Sequence, residues 1–360
     1  MTIKIPLSLY VHFPWCVRKC PYCDFNSHEA KGDLPEQQYV DSLLLDLQRD
    51  INAFGPGLDK RVIESIFMGG GTPSLFSPES MIQLMAGLQD QLTLASDCEI
   101  TLEANPGTTD FGKFAGYQAA GINRLSIGVQ SFSAQHLSTL GRIHTANEVT
   151  QAYYAARDAG FKNINLDLMH GLPNQNPAGA LDDLEAAIEL GPEHISWYQL
   201  TIEPNTVFYK RPPSLPDDDT LWEIYERGLE RLNQAGYARY EVSAFAQAGQ
   251  QAKHNLNYWQ FGDYLGIGAG AHGKISSPDR ILRTAKTRLP ADYLATQKSA
   301  QHVIDPDEML LEYLMNTLRM SAGFSRSTFG ERTNLPETAL EGFLQEAVTQ
   351  GLVEVSGDQV

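Results

Sequence analysis

Short apolar runs alternate with amphipathic stretches from residue 7 to residue 202. Rich in Val, Ile, Leu and aromatic residues, the runs lie at 7–13, 63–68, 99–103, 124–129, 164–169 and 194–202. Runs of this kind predict buried parallel strands. Helical spacing of apolar residues fills the stretches between them, at 36–54, 78–92, 110–120, 147–160 and 177–190. This alternation predicts an α/β fold, either a (β/α) barrel or a doubly wound sheet.

Polar and glycine-rich segments lie at the ends of four of these strands. They are GGGTP at 69–73, EANP at 103–106, QSF at 130–132 and Asp167. In a (β/α) barrel the functional groups collect at the carboxyl ends of the strands. Four strands that carry polar groups to one rim therefore favour a barrel-like arrangement, complete or incomplete.

The rest of the chain has a different pattern. A proline- and aspartate-rich connector at 212–219 precedes a predicted helix at 220–235, a strand at 240–245 and a glycine-rich loop or turn at 263–274. Helices are predicted near 309–320 and 338–349, and a strand at 352–355. We therefore predict three units: a barrel at 1–210, an extension at 211–290, and a mainly helical, winged-helix-like domain at 291–360. That domain ends where a wing hairpin would begin, which indicates a shortened C-terminus.

Charge and cysteine usage narrow the class of protein. The formal net charge of -17 disfavours nucleic acid and anionic membrane surfaces as partners. No apolar stretch approaches the roughly 20 residues that span a bilayer, and we see no signal peptide. Three of the four cysteines fall within eight positions, which favours metal or redox chemistry over a disulfide framework. These features predict a protein of the reducing cytoplasm.

Cys16, Cys20 and Cys23 have the spacing C-x3-C-x2-C. Three thiolates on one loop favour a 4Fe–4S cluster in which one iron has no protein ligand, as a reactive cluster requires. Two alternatives stay open. Cys20 and Cys23 alone match a dithiol redox pair, and a zinc site could form with His12 or His28 as its fourth ligand.

A second group of residues suits a zwitterionic nucleoside cofactor such as S-adenosylmethionine (SAM). Backbone at the three glycines of 69–71 can approach its amino and carboxylate groups, although such a run could also be a tight turn. Polar side chains at or just past successive strand ends could meet its ribose and α-amino group. These are Glu103, Gln130, Arg142 and Asp167.

These motifs together resemble one family along almost the whole chain. The stretches are YVHFPWC (10–16), GGGTP (69–73), EANP (103–106), SIGVQSF (126–132), LGRIH (140–144), NLDLMHGLP (165–173) and HNLNYW (254–259). They resemble the radical SAM family of oxygen-independent coproporphyrinogen III oxidases, most closely its heme-chaperone branch. That resemblance implies a partial (β/α)6 barrel with a helical C-terminal domain. It also implies a 4Fe–4S cluster whose fourth iron is ligated by SAM.

The resemblance also implies individual site residues. Positions that match the family's SAM contacts are Tyr10, Gly70, Gly71, Thr72, Glu103, Gln130, Arg142 and Asp167. Tyr22 matches an aromatic residue whose backbone touches cofactor in the oxidase.

Two departures separate the chain from the oxidases. They extend the cysteine motif to C-x3-C-x2-C-x-C, whereas Phe25 stands at that last position here, as in the heme chaperones. They also carry an N-terminal extension, and Cys16 lies too close to Met1 for us to expect one. Three hypotheses remain: a heme chaperone, a radical SAM oxidase of coproporphyrinogen III, and a dithiol oxidoreductase. Whether the protein is an enzyme stays open.

Heme is the expected cargo of the chaperone branch. Heme iron takes an axial ligand, commonly a neutral imidazole. His254 is the candidate, with Tyr258 and Trp259 able to stack on a flat macrocycle. The alternative is a structural histidine beside core aromatic residues, and His272 is a second candidate ligand. The resemblance further implies acceptor hemoproteins such as respiratory ones, a reductant for the cluster, and a possible homodimer.

Overall fold

The computed structural model describes residues 5–55, 58, 61–107 and 111–360. The strands are β1 (Leu7–Phe13), β2 (Trp15–Cys16), β3 (His28–Glu29), β4 (Val62–Gly70), β5 (Thr93–Ala104), β6 (Arg124–Gln130), β7 (Ile164–His170), β8 (His194–Gln199), β9 (Ala238–Glu241), β10 (Ala244–Ala246), β11 (Asp263–Ile267), β12 (His272–Ser277), β13 (Arg280–Lys286) and β14 (Ser299–Val303). The α-helices are α1 (Glu36–Phe54), α2 (Pro78–Gln91), α3 (Lys113–Ala119), α4 (Ala134–Thr139), α5 (Ala146–Asp158), α6 (Pro177–Leu190), α7 (Val207–Lys210), α8 (Asp218–Gln234), α9 (Lys253–Trp259), α10 (Pro290–Thr296), α11 (Pro306–Thr317), α12 (Arg326–Thr333) and α13 (Glu341–Thr349). Short 3-10 turns lie at Pro73–Leu75 and Glu337–Leu340.

The six predicted strands form the centre of one large sheet. Its order is β14-β13-β12-β11-β1-β4-β5-β6-β7-β8-β10-β9. From β1 to β8 all neighbours in this order are parallel, which confirms the predicted β/α alternation. Within the described chain, the edge strands β14 and β9 do not pair with each other. The barrel is therefore partial.

Alternation along each strand separates the core from the interior of the barrel. In β1, Leu9 and Val11 belong to the main hydrophobic core together with Leu43 of α1, whereas Tyr10 and His12 line a cavity. Side chains of a strand point to opposite faces with a period of two. The polar residues of the strands thus collect inside the barrel, while the helices cover the outside.

Several predicted elements differ in the structure. The predicted loop or turn at 263–274 is confirmed only at 268–271, because residues 263–267 belong to β11 and residues 272–274 to β12. Their glycines serve close packing: a Cβ on Gly266 would lie 1.9 Å from the carbonyl oxygen of His272. The strand predicted at 240–245 is split into β9 and β10. No strand forms at 352–355, where the chain is largely exposed. Asp110, the first residue of one predicted helix, lies outside the described residues.

The middle segment of the chain belongs to the same sheet as the barrel. Strand β11 pairs in parallel with β1, from Leu7 beside Asp263 to Val11 beside Ile267. After it, α11, α12 and α13 pack around a smaller core that contains Tyr313 and confirm the helical C-terminal region. The predicted unit boundaries at 210 and 290 stay predictions. Among the described helices, none is long and apolar enough to cross a membrane.

Candidate cluster and cofactor site

The cysteine loop leaves the end of β1 and is held at both sides. Strands β2 and β3 form a short parallel pair that brackets it, and Ala30 N–H donates to the carbonyl of Cys16 at 2.8 Å. Inside the loop, Lys19 Nζ donates to the carbonyls of Phe25 and Ser27. The loop therefore has a fixed path that presents its three thiols to the barrel rim.

All three thiols are free and only partly exposed. Ser27 Oγ lies 3.8 Å from the sulfur of Cys23, and Arg142 Nη1 donates to the sulfur of Cys20 at 3.9 Å. Burial raises the pKa of the Cys16 thiol and of the Cys23 thiol. Because metal ligation requires thiolates, metal binding at this loop must release protons. Within the described residues, no group of three or more His, Cys, Asp or Glu side chains is arranged to hold a single metal ion.

A cavity of about 510 Å³ lies between the cysteine loop and the barrel rim. All predicted site residues except Tyr10 and His254 line it: Cys16, Cys20, Tyr22, Cys23, Gly70, Gly71, Thr72, Glu103, Gln130, Arg142 and Asp167. These residues come from β2, from the cysteine loop and from the ends of four strands and their following loops. The fold thus brings the predicted cluster and SAM groups to one place.

The glycine run after β4 is required by close packing. Gly71 N–H donates to the carbonyl of Phe13 at 2.6 Å, and Thr72 N–H donates to that of Trp15 at 2.7 Å. A Cβ on Gly71 would lie 2.5 Å from the Trp15 carbonyl oxygen. Gly70 has φ of +110°, in the region that favours glycine. The run is therefore more than a tight turn: it joins the β4 rim to the cysteine loop.

Two partly buried carboxylates face the cavity. Burial, together with the nearby charge of Asp167, raises the pKa of Glu103 to about 8, although the Gly70 N–H donates to Glu103 Oε2 at 3.1 Å. Burial also raises the pKa of Asp167, and hydrogen bonds from Ser126 and Asn165 at 2.8 Å oppose the rise. Two carboxylates in such a site favour a cationic ligand, whose charge would offset theirs.

Arg142 and Gln130 also line the cavity. Arg142 Nη2 donates to the carbonyl of Gly128 at 2.6 Å, and its Nε has no hydrogen-bond partner among the described residues. Tyr198 donates to Gln130 Oε1 at 2.6 Å and also lines the cavity. No sequence motif singles out Tyr198, but alternation along β8 places it on the cavity side, because its neighbour Trp197 lies in the core.

Tyr10 and His254 lie elsewhere. The Tyr10 ring faces a second cavity, and its hydroxyl lies 2.9 Å from His12 Nδ1. His254 is 5% exposed in α9, stacks on Phe67 with ring centroids 4.4 Å apart, and lines neither cavity. Burial lowers the pKa of His254 to about 3. The predicted SAM contact of Tyr10 and the predicted heme ligation by His254 stay predictions.

Comparison with known proteins identifies the family. Residues 10–189 match the radical SAM superfamily. The chain is 51% identical to the heme chaperone HemW of Haemophilus influenzae, over 98% of this chain and 93% of that protein. It is 52% identical to HemW of Escherichia coli K12, with the same coverage. The chain belongs to the HemW family of radical SAM proteins. HemW of Bacillus subtilis is 35% identical over 98% of the chain.

A solved structure supports the fold of this HemW family member. Coproporphyrinogen III oxidase (HemN) from Escherichia coli, described as a radical SAM enzyme, superposes with a TM-score of 0.82. The match covers 98% of this chain and 86% of the oxidase at 22% identity. That likeness confirms the predicted partial radical SAM barrel with its helical C-terminal region.

The site residues fit the cofactors that this family implies. Membership of the radical SAM superfamily implies a 4Fe–4S cluster and SAM. Three free thiols around one cavity are a suitable donor set for iron–sulfur ligation. The unpartnered Arg142 Nε, the two partly buried carboxylates and the glycine run offer the charges and the close backbone approach that a zwitterionic ligand needs.

Proposed function

We propose that this protein is a heme-binding chaperone that delivers heme to acceptor hemoproteins and carries a SAM-ligated 4Fe–4S cluster. The observation that carries the proposal is 51% identity to a protein named as a heme chaperone, over 98% of the chain. Cytoplasmic location, respiratory acceptors, a reductant for the cluster and a homodimer belong to the same proposal.

Cys16, Cys20 and Cys23 are the proposed cluster ligands. Arg142 lies against Cys20 and offsets the negative charge that a thiolate-bound cluster brings to this rim. Lys19 holds the loop by donating to two of its backbone carbonyls.

The remaining cavity residues are the proposed SAM contacts. Glu103 and Asp167 supply negative charge for the amino and sulfonium groups, and the Arg142 guanidinium suits the carboxylate. Backbone at Gly70, Gly71 and Thr72 allows the ligand to approach the rim closely. Tyr22 and Gln130 complete the set in this cavity, and Tyr10, which lines the neighbouring cavity, stays a predicted SAM contact. Bound SAM with a reduced cluster can supply radical chemistry.

The second candidate function is oxygen-independent oxidation of coproporphyrinogen III. The HemN-like fold is compatible with it. Phe25 stands where the oxidases have their additional cysteine, and it lines the cavity beside the cluster loop. We therefore expect heme binding without decarboxylation. A dithiol reaction of Cys20 and Cys23 is a weaker alternative, because it gives no role to Cys16.

One sample can test these functions together. The cluster is reconstituted anaerobically in the full chain, hemin and SAM are added separately and together, and visible spectra are recorded. Coproporphyrinogen III is then supplied with a reductant, and porphyrin, methionine and 5′-deoxyadenosine are assayed. We expect a cluster absorbance near 400 nm, stable heme binding and no porphyrinogen conversion. Conversion would establish the oxidase, and no heme binding would overturn the chaperone.

A further inference from the structure

Both oxygens of the Asp167 carboxylate accept hydrogen bonds from neighbouring side chains. Ser126 Oγ donates to Oδ2 at 2.8 Å, and Asn165 Nδ2 donates to Oδ1 at 2.8 Å. Asn165 Nδ2 also donates to Ser126 Oγ at 2.8 Å, so the three side chains form a closed ring. Donors on both oxygens favour the charged carboxylate and fix its orientation. Asp167 lines the cavity of about 510 Å³, which we call the cofactor cavity, whereas Asn165 is buried behind it.

A fully buried histidine lies next to this ring. His194 of β8 has its Nδ1 2.6 Å from Asn165 Oδ1 and its Nε2 2.8 Å from the Tyr240 hydroxyl. Because the amide nitrogen of Asn165 is already used in the ring, the amide oxygen faces His194 and can only accept. His194 Nδ1 therefore carries the proton, and Nε2 accepts from the Tyr240 hydroxyl. Burial and the charge of Arg124 lower the pKa of His194, which is consistent with this neutral form.

The far end of this hydrogen-bonded path reaches helix α9. The Tyr240 oxygen accepts from Asn255 Nδ2 at 3.0 Å. Asn255 belongs to the HNLNYW segment and lines the cofactor cavity. Every donor between Asn255 and Asp167 therefore points the same way, toward the carboxylate.

The position of the path distinguishes it from ordinary hydrogen bonding in a core. Its two ends, Asp167 and Asn255, line the same cavity. Its three middle members are buried and do not line that cavity: Tyr240, His194 and Asn165. One end lies on the barrel strand β7 and the other on α9, in the segment that follows the barrel. A change at a middle member therefore alters how Asp167 is held without removing any contact to a ligand.

We propose that His194 is a positioning residue of the SAM site: it orients Asp167 through Asn165. The same path ties the site to Asn255 on α9. This inference rests on the proposed function, in which Asp167 contacts SAM. With its proton on Nδ1, His194 holds the Asn165 oxygen away from Asp167. Without that proton the amide can turn its oxygen toward the carboxylate, and repulsion then disfavours the charged form that binds the SAM cation.

Two replacements of His194 separate positioning from packing, with SAM affinity measured by isothermal titration of the reconstituted full chain. His194→Asn places an amide N–H near the position of Nδ1 and should keep most of the SAM affinity. His194→Gln places its amide near the position of Nε2 and should weaken SAM binding at least about tenfold, because the hydrogen bond to Asn165 is lost. The matched control is His170→Gln, which replaces a buried histidine of β7 outside the path and should leave SAM affinity unchanged.

The pH profile of SAM binding supplies a readout that a packing defect would not move. Loss of the donor to Asp167 raises the pKa of its carboxyl. As the solution is acidified, SAM affinity in His194→Gln should therefore fall at a higher pH than in the wild type. The charges and titratable groups of Glu103, Arg124 and Tyr198 also act on Asp167, and none of them is altered in these variants.

Tyr240→Phe tests the path from its other end and keeps the aromatic ring. It leaves His194 Nε2 without a donor and should shift the pH profile in the same direction as His194→Gln. Asn255→Ala should weaken SAM binding in the wild-type background and have no further effect in Tyr240→Phe, because both changes act through the same hydroxyl. Fully additive losses would overturn the link to α9.

The inference on His194 has its own contrary outcomes. Wild-type affinity and pH profile in a folded His194→Gln or Tyr240→Phe protein would overturn it, and so would equal losses of affinity in His194→Asn and His194→Gln. Unchanged SAM affinity in Asp167→Asn would instead overturn the proposed SAM contact, and absence of SAM binding in the wild-type chain would overturn the proposed cofactor itself.

Discussion

At the scale of single residues, the three loop cysteines differ from the fourth in their surroundings. Cys98 is buried in the main core, whereas the other three line a cavity. Replacing Cys16, Cys20 or Cys23 by Ser should each abolish the absorbance near 400 nm after reconstitution, because an iron of the cluster would lose its ligand. Cys98→Ser should keep the iron content and the absorbance. Full iron content in a Cys16→Ser protein would contradict the three-cysteine cluster and favour the dithiol pair.

At the same scale, Glu103 should make both the stability of the apo protein and its SAM affinity depend on pH. Its pKa is raised from 4.5 to about 8 by burial and by Asp167. A raised carboxyl pKa means that the folded apo protein favours the protonated form, so apo stability is lost as pH rises from 4.5 through about 8. The charged form pairs with a cation, so SAM affinity should rise over the same interval.

Isothermal titration of SAM between about pH 6 and 10, roughly two units on either side of the Glu103 pKa, would measure this effect. Glu103→Gln should bind SAM more weakly at the upper end and show a flatter pH dependence. Glu148→Gln, at the exposed start of α5, serves as the control. An identical pH profile in wild type and Glu103→Gln would show that Glu103 does not contact the cation.

At the scale of elements, the glycine run after β4 packs closely against the backbone that leads into the cysteine loop. Gly71→Ala places a Cβ 2.5 Å from backbone of Trp15, which cannot move like a flexible side chain. We expect a loss of about 1–3 kcal/mol in the free energy of unfolding, together with reduced cluster content. Chemical denaturation and iron analysis would measure both.

Gly342→Ala in α13 is the matched control. A Cβ there has no neighbour within 4 Å, and Ala favours helix more than Gly, so stability should stay the same or rise by about 0.5–1 kcal/mol. Equal stability and equal iron content in both variants would contradict the proposed role of close packing at Gly71.

At the scale of the whole molecule, a buried ionic cluster ties the middle of the chain to the barrel. Lys286 of β13 lies 2.6 Å from Asp46 and 2.7 Å from Asp50, both on α1. Tyr293 of α10 also donates to Asp46, at 2.7 Å. Burial raises the pKa of Asp50 to about 6, although Lys286 opposes the rise. Strand β13 and α10 are thereby held against α1 by polar contacts inside the core.

Lys286→Met should therefore destabilise the whole protein. It leaves two buried carboxylates without their cation, and breaking a buried pair costs about 3–5 kcal/mol. Arg227→Met removes an exposed pair with Glu223 on α8 and should cost less than about 0.5 kcal/mol. Denaturant unfolding of both variants gives the comparison. A Lys286→Met protein as stable as Arg227→Met would show that this cluster does not secure the extension.

Local patterns in the sequence were sufficient for the six central strands, most of the helices and the cluster loop. Helices α1 and α6 have the predicted bounds, because apolar spacing and end signals lie within each segment. The cysteine spacing is equally local, since three ligands on one loop need no long-range pairing. The glycines at 69–71 were found for the same reason.

Tertiary structure decided which side chains share a space. Strand β11 was mistaken for a loop, because its pairing with β1 joins segments more than 250 positions apart. Tyr10 lines the second cavity, whereas the rest of the predicted SAM set lines the first. Alternation along β1 places the Tyr10 ring beside Phe67. His254 leads a conspicuous motif and yet lines neither cavity. Sequence determines which groups are present at the rim, whereas strand register and face determine which of them can meet one ligand.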